Sequence, residues 1–151
     1  MMIAPRQFRA DPFTVLGYGI RTHGDASAGD IPALWKKVMA DDALTRVPGR
    51  RTDDVYAVYT HLERAGRSRE GWFTFLIGVA VDPSTVIPES MTMVSVPASE
   101  RVGFSVPDGD PSRVLEAWQA AWSYDDARKT FLCEYERYGA DGSASVNLGV
   151  R

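Results

Sequence analysis

Four landmarks occur twice along this chain, in the same order. Gly17-Tyr18 recurs as Gly103-Phe104, and Trp35 recurs as Trp118. Tyr56-Ala57-Val58-Tyr59 recurs as Tyr135-Glu136-Arg137-Tyr138, and Gly78-Val79 as Gly149-Val150. The offset is roughly 70 to 85 residues, which reads as an internal duplication. Such a repeat constrains the fold strongly, because both halves must form the same unit and then pack on one another.

Each half reads strand, helix, strand, strand. In the first, Phe13 to Arg21 is a strand rich in β-branched and aromatic residues. Thr22 to Gly29 reads as a polar loop. Asp30 is expected to cap a helix running to Ala43, with Pro32 in its first turn. Ile31, Leu34, Trp35 and Val38 give that helix an apolar stripe. Val55 to Leu62 and Trp72 to Val81 are strands, the latter apolar on both faces and therefore central. The charged turn between them carries Arg64, Arg67 and Arg69, expected in solvent. After a linker from Asp82 to Ser90, Met91 to Val96 is a short strand. The second half then has a strand over Arg101 to Val106 and a helix over Pro111 to Trp122, capped by Asp110. Val114, Leu115, Trp118, Ala121 and Trp122 form its apolar stripe. Strands over Phe131 to Tyr138 and Val146 to Val150 complete the half. The expected fold is α+β: duplicated βαββ units forming one antiparallel sheet, related by a pseudo-twofold axis, with two helices on one face. One domain covers residues 1–151, with halves at about 13–81 and 91–151.

The strand Phe131–Tyr138 holds the functional clue. Alternation puts Phe131, Cys133 and Tyr135 on a core face and Glu134, Glu136 and Tyr138 on the other. The matching positions of the first half are Val55, Ala57 and Tyr59. A face carrying carboxylates in one half and apolar groups in the other fits either of two situations. It meets water, as most glutamates do, or it lines a cleft between the halves that receives an amphiphilic cation. Four Trp, six Tyr and six Phe supply enough aromatic surface for a pocket as well as a core. Cation–π attraction from aromatic walls and a glutamate countercharge would hold such a ligand. The expected binding residues are Glu136, Glu134, Tyr138, Tyr56, Tyr59, Trp72, Phe75, Phe104 and Trp122. Each aromatic also suits ordinary core, and Trp35 and Trp118 read as core beneath the helices.

Other chemistries find little support. A net charge of -3 and a pI near 5.4 offer no basic stripe for nucleic acid. The lone Cys133 allows no intrachain disulfide and suits a reducing cytoplasm. No stretch is long and apolar enough for a membrane span or a secretory signal. His23 and His61 lack metal-ligand spacing, Gly17-Tyr18-Gly19 is not followed by Lys-Ser/Thr, and no G-x-S-x-G occurs. No cofactor and no metal are expected.

An ordered set of short motifs spans nearly the whole chain. It comprises Leu34-Trp35, Val55-Tyr56-Ala57-Val58-Tyr59, Phe75-Leu76-Ile77-Gly78-Val79, Val96-Pro97-Ala98, Trp118 with Trp122, and Tyr135-Glu136-Arg137-Tyr138. In this the sequence resembles the GyrI-like small-molecule-binding domains, which include the effector-binding domains of AraC-type and multidrug-sensing MerR-type regulators. The nearest likeness is to stand-alone integron-cassette effector-binding proteins. The resemblance implies a cleft whose acidic residue, Glu136 by motif position, meets lipophilic cations. Glu134 stands where many members have Asp. Regulators of the family carry a helix-turn-helix ahead of this domain. Here the first strand begins near Phe13, so no direct nucleic acid binding is expected. Two alternatives remain open at this point. Some GyrI-like proteins hydrolyse reactive electrophiles, for which Glu136 and Tyr138 would be the catalytic pair. One branch inhibits gyrase, which would make this a protein-interaction module with an exposed apolar patch outside the cleft.

Overall fold

The protein is described by a computed structural model covering residues 3–151. Its strands are β1 (Arg6–Ala10), β2 (Phe13–His23), β3 (Val55–Thr60), β4 (Trp72–Val81), β5 (Thr92–Val96), β6 (Ser99–Ser105), β7 (Glu134–Tyr138) and β8 (Ala144–Val150). The helices are α1 (Gly24–Ala40) and α2 (Val114–Trp122). All eight strands join one antiparallel sheet in the order β1-β6-β8-β7-β3-β4-β2-β5. No helix among the described residues is long and apolar enough to cross a membrane.

The register of the central pair locates the pseudo-twofold axis. Ala57 faces Glu136, Tyr56 faces Arg137 and Val58 faces Tyr135. Since Tyr56 is the counterpart of Tyr135 and Val58 of Arg137, the pairing reads the same from either half. The axis therefore passes between Ala57 and Glu136. The same register corrects one expected match. Ala57 faces Ile77 and Glu136 faces Val146, so the counterpart of Gly78 is Asn147 rather than Gly149. Gly78 lies opposite Gly17, whose backbone is so close that a Cβ would sit 2.0 Å from the carbonyl oxygen of Ile77. Gly149 serves a different need. It lies opposite Arg101, whose buried guanidinium donates to the Cys133 carbonyl, and a Cβ there would meet Thr130.

Each half has the expected strand–helix–strand–strand order, preceded by one further strand. The two extra strands are exchanged: β1 of the first half pairs with β6 of the second, and β5 of the second pairs with β2 of the first. Arg6–Ala10 was not expected as a strand, because it is short and only Phe8 and Ala10 alternate with its polar residues.

The remaining boundary differences have local causes. Phe131 has a left-handed backbone (φ 49°), so β7 starts only at Glu134 and the expected strand Phe131–Tyr138 is cut short. His61 (φ 50°) stops β3 at Thr60 in the same way. Helix α1 starts at Gly24, so the expected loop Thr22–Gly29 is mostly helix and Asp30 is not its cap. Asp30 instead accepts a hydrogen bond from the Thr22 hydroxyl at 2.8 Å. Pro32 lies inside the helix, where its missing N–H leaves the Ala28 carbonyl without its usual partner. Before α2 Asp110 caps as expected, accepting the Ser112 N–H at 3.0 Å, but it opens a short 3₁₀ turn over Pro111–Arg113 and the α-helix itself begins at Val114.

Both helices cover one face of the sheet. Leu34 and Val38 of α1 pack on Leu16, Ala57, Phe75 and Ile77. Ala117, Trp118 and Ala121 of α2 pack on Val102, Phe104, Val146 and Leu148. Tyr59 touches both clusters. The opposite face has its own core of Val15, Val58, Leu76, Val94, Val96, Cys133 and Tyr135.

Candidate functional site

Where the two helices part over β3 and β7, they leave a cleft with two lobes. The larger lobe, about 680 Å³, opens between the C-terminal half of α1 and the N-terminal turn of α2. Trp35, Met39, Val55, Val114, Leu115 and Tyr138 line it, with Glu136 at its floor. The smaller lobe, about 320 Å³, lies at the other ends of the helices, among Gly24, Ser27, Leu62, Phe73 and Trp122, over Glu134 and Arg69. Ile31, Tyr59 and Trp118 border both lobes. The lobes are pseudo-twofold counterparts: Trp35 answers Trp118, Tyr138 answers Tyr59, and Val55 answers Glu134. Each tryptophan meets the tyrosine of the other half edge-on, Trp35 with Tyr138 at 5.5 Å and Trp118 with Tyr59 at 5.1 Å.

Both glutamates are buried, Glu134 at 3% exposure and Glu136 at 4%, so neither is a solvated surface carboxylate. Burial of a carboxylate demands partners, and the two find different ones. Glu134 receives a bidentate contact from Arg69, Nε to Oε1 at 3.1 Å and Nη2 to Oε2 at 2.9 Å. The same guanidinium lies 5.5 Å from the centre of the Trp118 ring and 5.8 Å from that of Phe131. Glu136 receives only neutral donors. Its Oε2 accepts the Tyr59 hydroxyl at 2.6 Å and the Trp118 indole N–H at 2.8 Å, and its Oε1 accepts the Tyr138 hydroxyl at 2.5 Å. Burial, then the adjacent Glu136 charge, raises the Tyr59 phenol well above its ordinary pKa, and the Tyr138 phenol is raised for the same reasons. Both therefore stay protonated donors.

The structure brings together some of the expected residues and separates others. Glu134, Glu136, Tyr59, Tyr138 and Trp122 line the cleft. Phe75 is fully buried behind Tyr59, with ring centres 5.0 Å apart, and supports the wall without lining it. Three aromatics lie elsewhere. Tyr56 points to the opposite face, against Phe13 and Tyr135, because it is one residue out of phase with Ala57 and Tyr59. Trp72 is out of phase with Phe73 and packs against His23, the ring centres 4.3 Å apart and the planes tilted by 55°. Phe104 is core of the second half, against Tyr124.

Trp118 is buried in the core beneath α2 and Trp35 packs on the core beneath α1, as expected, yet both also wall the cleft, and Trp118 reaches Glu136 with its indole N–H. Arg69 is not a solvated side chain but the partner of Glu134. The available signal for Trp118 was its duplication: a tryptophan kept in both halves beside the axis borders whatever opens there. Arg69 gave no signal, since it sits in a run of three surface-like arginines.

The pair required for hydrolysis, Glu136 and Tyr138, is in contact. Of the exposed large apolar side chains, Met39, Leu115 and Trp122 border the cleft, while Val86 and Ile87 lie in the β4–β5 linker.

No curated protein matches the chain. Several solved structures share its fold. An integron cassette protein from the mobile metagenome of Vibrio cholerae matches with TM-score 0.74 at 20% identity, over 97% of this chain and 95% of that one. A putative transcription regulation protein from Staphylococcus aureus MU50 matches with TM-score 0.76 at 12% identity, over 99% of both chains. SAV2435, whose structure holds tetraphenylphosphonium, matches with TM-score 0.80 at 13% identity, over 99% of this chain and 94% of that one. The sequence profile of the Cass2 integron-associated effector binding proteins matches residues 9–139. The chain belongs to the Cass2 family of integron-associated effector binding proteins.

Proposed function

We propose that this protein binds lipophilic organic cations in the cleft between α1 and α2, with Glu136 as the countercharge. One observation carries this reading. Glu136 is buried at the floor of the larger lobe and meets three neutral donors but no cation among the described residues. The donors satisfy its hydrogen bonds and leave its charge uncompensated. A cation entering between Trp35, Tyr138 and Trp118 gains that charge, the ring faces and apolar contact together. Membership in an effector-binding family supports the reading, as does tetraphenylphosphonium in a protein of the same fold.

Quaternary ammonium compounds and rhodamine-like dyes are expected to bind in the micromolar range, about -8 kcal/mol. Binding should quench fluorescence from Trp118 and Trp35. The test is calorimetric titration with methyltriphenylphosphonium and with uncharged triphenylphosphine oxide, which has nearly the same shape. Glu136→Gln should cost the cation about 1.5–3 kcal/mol, the scale of a contact to a charged group, and the neutral compound far less. Equal losses for both compounds, or none for the cation, would defeat the proposal.

A further inference from the structure

The two lobes differ in charge although the fold relates them. In the larger lobe the carboxylate of Glu136 has no cationic partner among the described residues. In the smaller lobe Glu134 is already matched by a cation belonging to the protein. The Arg69 fork holds both Glu134 oxygens and lies beside the Trp118 and Phe131 rings. It thus occupies a place of the kind a ligand cation takes, a carboxylate beside aromatic rings. Arg69 comes from the β3–β4 loop, which is pinned by the Gly66 N–H to the Phe131 carbonyl and by the Trp72 N–H to the Glu63 carboxylate.

We infer that Arg69 is a resident cation that limits the cleft to ligands of single positive charge. This rests on the cation reading of the cleft. Glu134 and Glu136 are two residues apart on one strand, about 6.5–7 Å along it. A ligand with one charge on Glu136 would bring a second charge of similar spacing against the guanidinium. Like charges brought together in a poorly hydrated site repel strongly, which rejects the wrong partner. Only the uncharged part of a ligand fits the smaller lobe, against Phe73, Leu62 and Trp122. Arg69 is accordingly a specificity-determining residue.

The test compares two probes of one shape: 4-neopentylbenzyltrimethylammonium, a monocation, and p-xylylene-bis(trimethylammonium), a dication. Wild-type protein should prefer the monocation by about tenfold or more, equivalent to about 1.4 kcal/mol. Arg69→Met should erase or invert that preference, because Glu134 then has no cation of its own. Arg69→Gln removes the charge and keeps a hydrogen bond to Glu134, so it serves if the methionine variant does not fold. Adding Glu134→Gln to either variant should restore the preference for the monocation. Equal or tighter dication binding by the wild type overturns the inference, as does an unchanged ratio in the folded Arg69 variant. If neither probe binds, this inference and the cation reading fall together. If the monocation binds and depends on Glu136 while no discrimination is seen, this inference falls alone.

Discussion

Glu134 and Glu136 are on one face of one strand, equally buried, two residues apart, and the fold treats them in opposite ways. Glu134 is closed by an arginine from a neighbouring loop. Glu136 is held by two phenols and an indole, each belonging to a residue that also walls the cleft. The difference teaches what separates a structural carboxylate from one able to receive a ligand. Both have their hydrogen bonds met, but only the first has its charge met. The axis explains the placement. Glu136 lies directly beside it and is reached by Tyr59 and Tyr138 from both halves, whereas Glu134 lies farther off and is served by one loop.

The comparison can be broken most forcefully at the arginine. Arg69→Met leaves a buried carboxylate without its partner and should destabilise the protein by about 3 kcal/mol, read from urea unfolding. Glu136→Gln should change stability by less than about 1 kcal/mol, since no ion pair is lost. Similar losses in both variants would erase the distinction drawn here.

Alkaline unfolding reaches Glu136 and not Glu134, because only Glu136 has phenols as donors. Tyr59 and Tyr138 keep their protons in the folded protein above the pH at which the unfolded chain releases them. Their contribution is full below about pH 10 and is lost as pH rises from there toward the raised values. The slope should reach up to about 1.4 kcal/mol per pH unit for each phenol. Tyr59→Phe with Tyr138→Phe should lower it to the part left by the Tyr56 and Tyr135 phenols and the Cys133 thiol, which burial also raises, and an undiminished slope would contradict the role of the two phenols.

A smaller effect is expected at the indole. Trp118→Phe keeps a ring in the wall but removes one donor to Glu136 and should cost about 1 kcal/mol of stability. The smallest is on the opposite face. Tyr56→Phe should leave affinity for methyltriphenylphosphonium unchanged, and a loss would contradict the placement of that ring against Phe13.

The duplication made most of the fold legible, since it fixed the number of helices, the antiparallel sheet and the face that each half shares. Period-two alternation from Glu136 correctly grouped Glu134, Tyr138, Tyr59 and Val55. The same rule, applied strictly, would have removed Tyr56 from the walls and exchanged Trp72 for Phe73. What sequence could not reveal were the contacts made by loops. Arg69 looks like its neighbours Arg64 and Arg67, and only the path of the chain from β3 to β4 brings it under Trp118. The start of α1 was obscured because Gly24, Ser27 and Gly29 favour loops by intrinsic propensity, and packing of Leu34 and Val38 on the sheet overrides them. Strand β1 alternates over Phe8 and Ala10 alone, too short a signal, and its place at the sheet edge comes from pairing with β6.

The exchange of β1 and β5 also dictates an order of events during synthesis. Of these eight strands β1 leaves the ribosome earliest, and it pairs only with β6, more than the length of the first half later in the chain. The first half can assemble β2, α1, β3 and β4 while it is being made, but its sheet lacks the edge that β5 supplies. Translation thus passes through a stage with two unsatisfied strand edges and an open helix-covered face, the kind of intermediate that invites association with other nascent chains. The interlock that holds the finished halves together is thus also the step at which folding must wait.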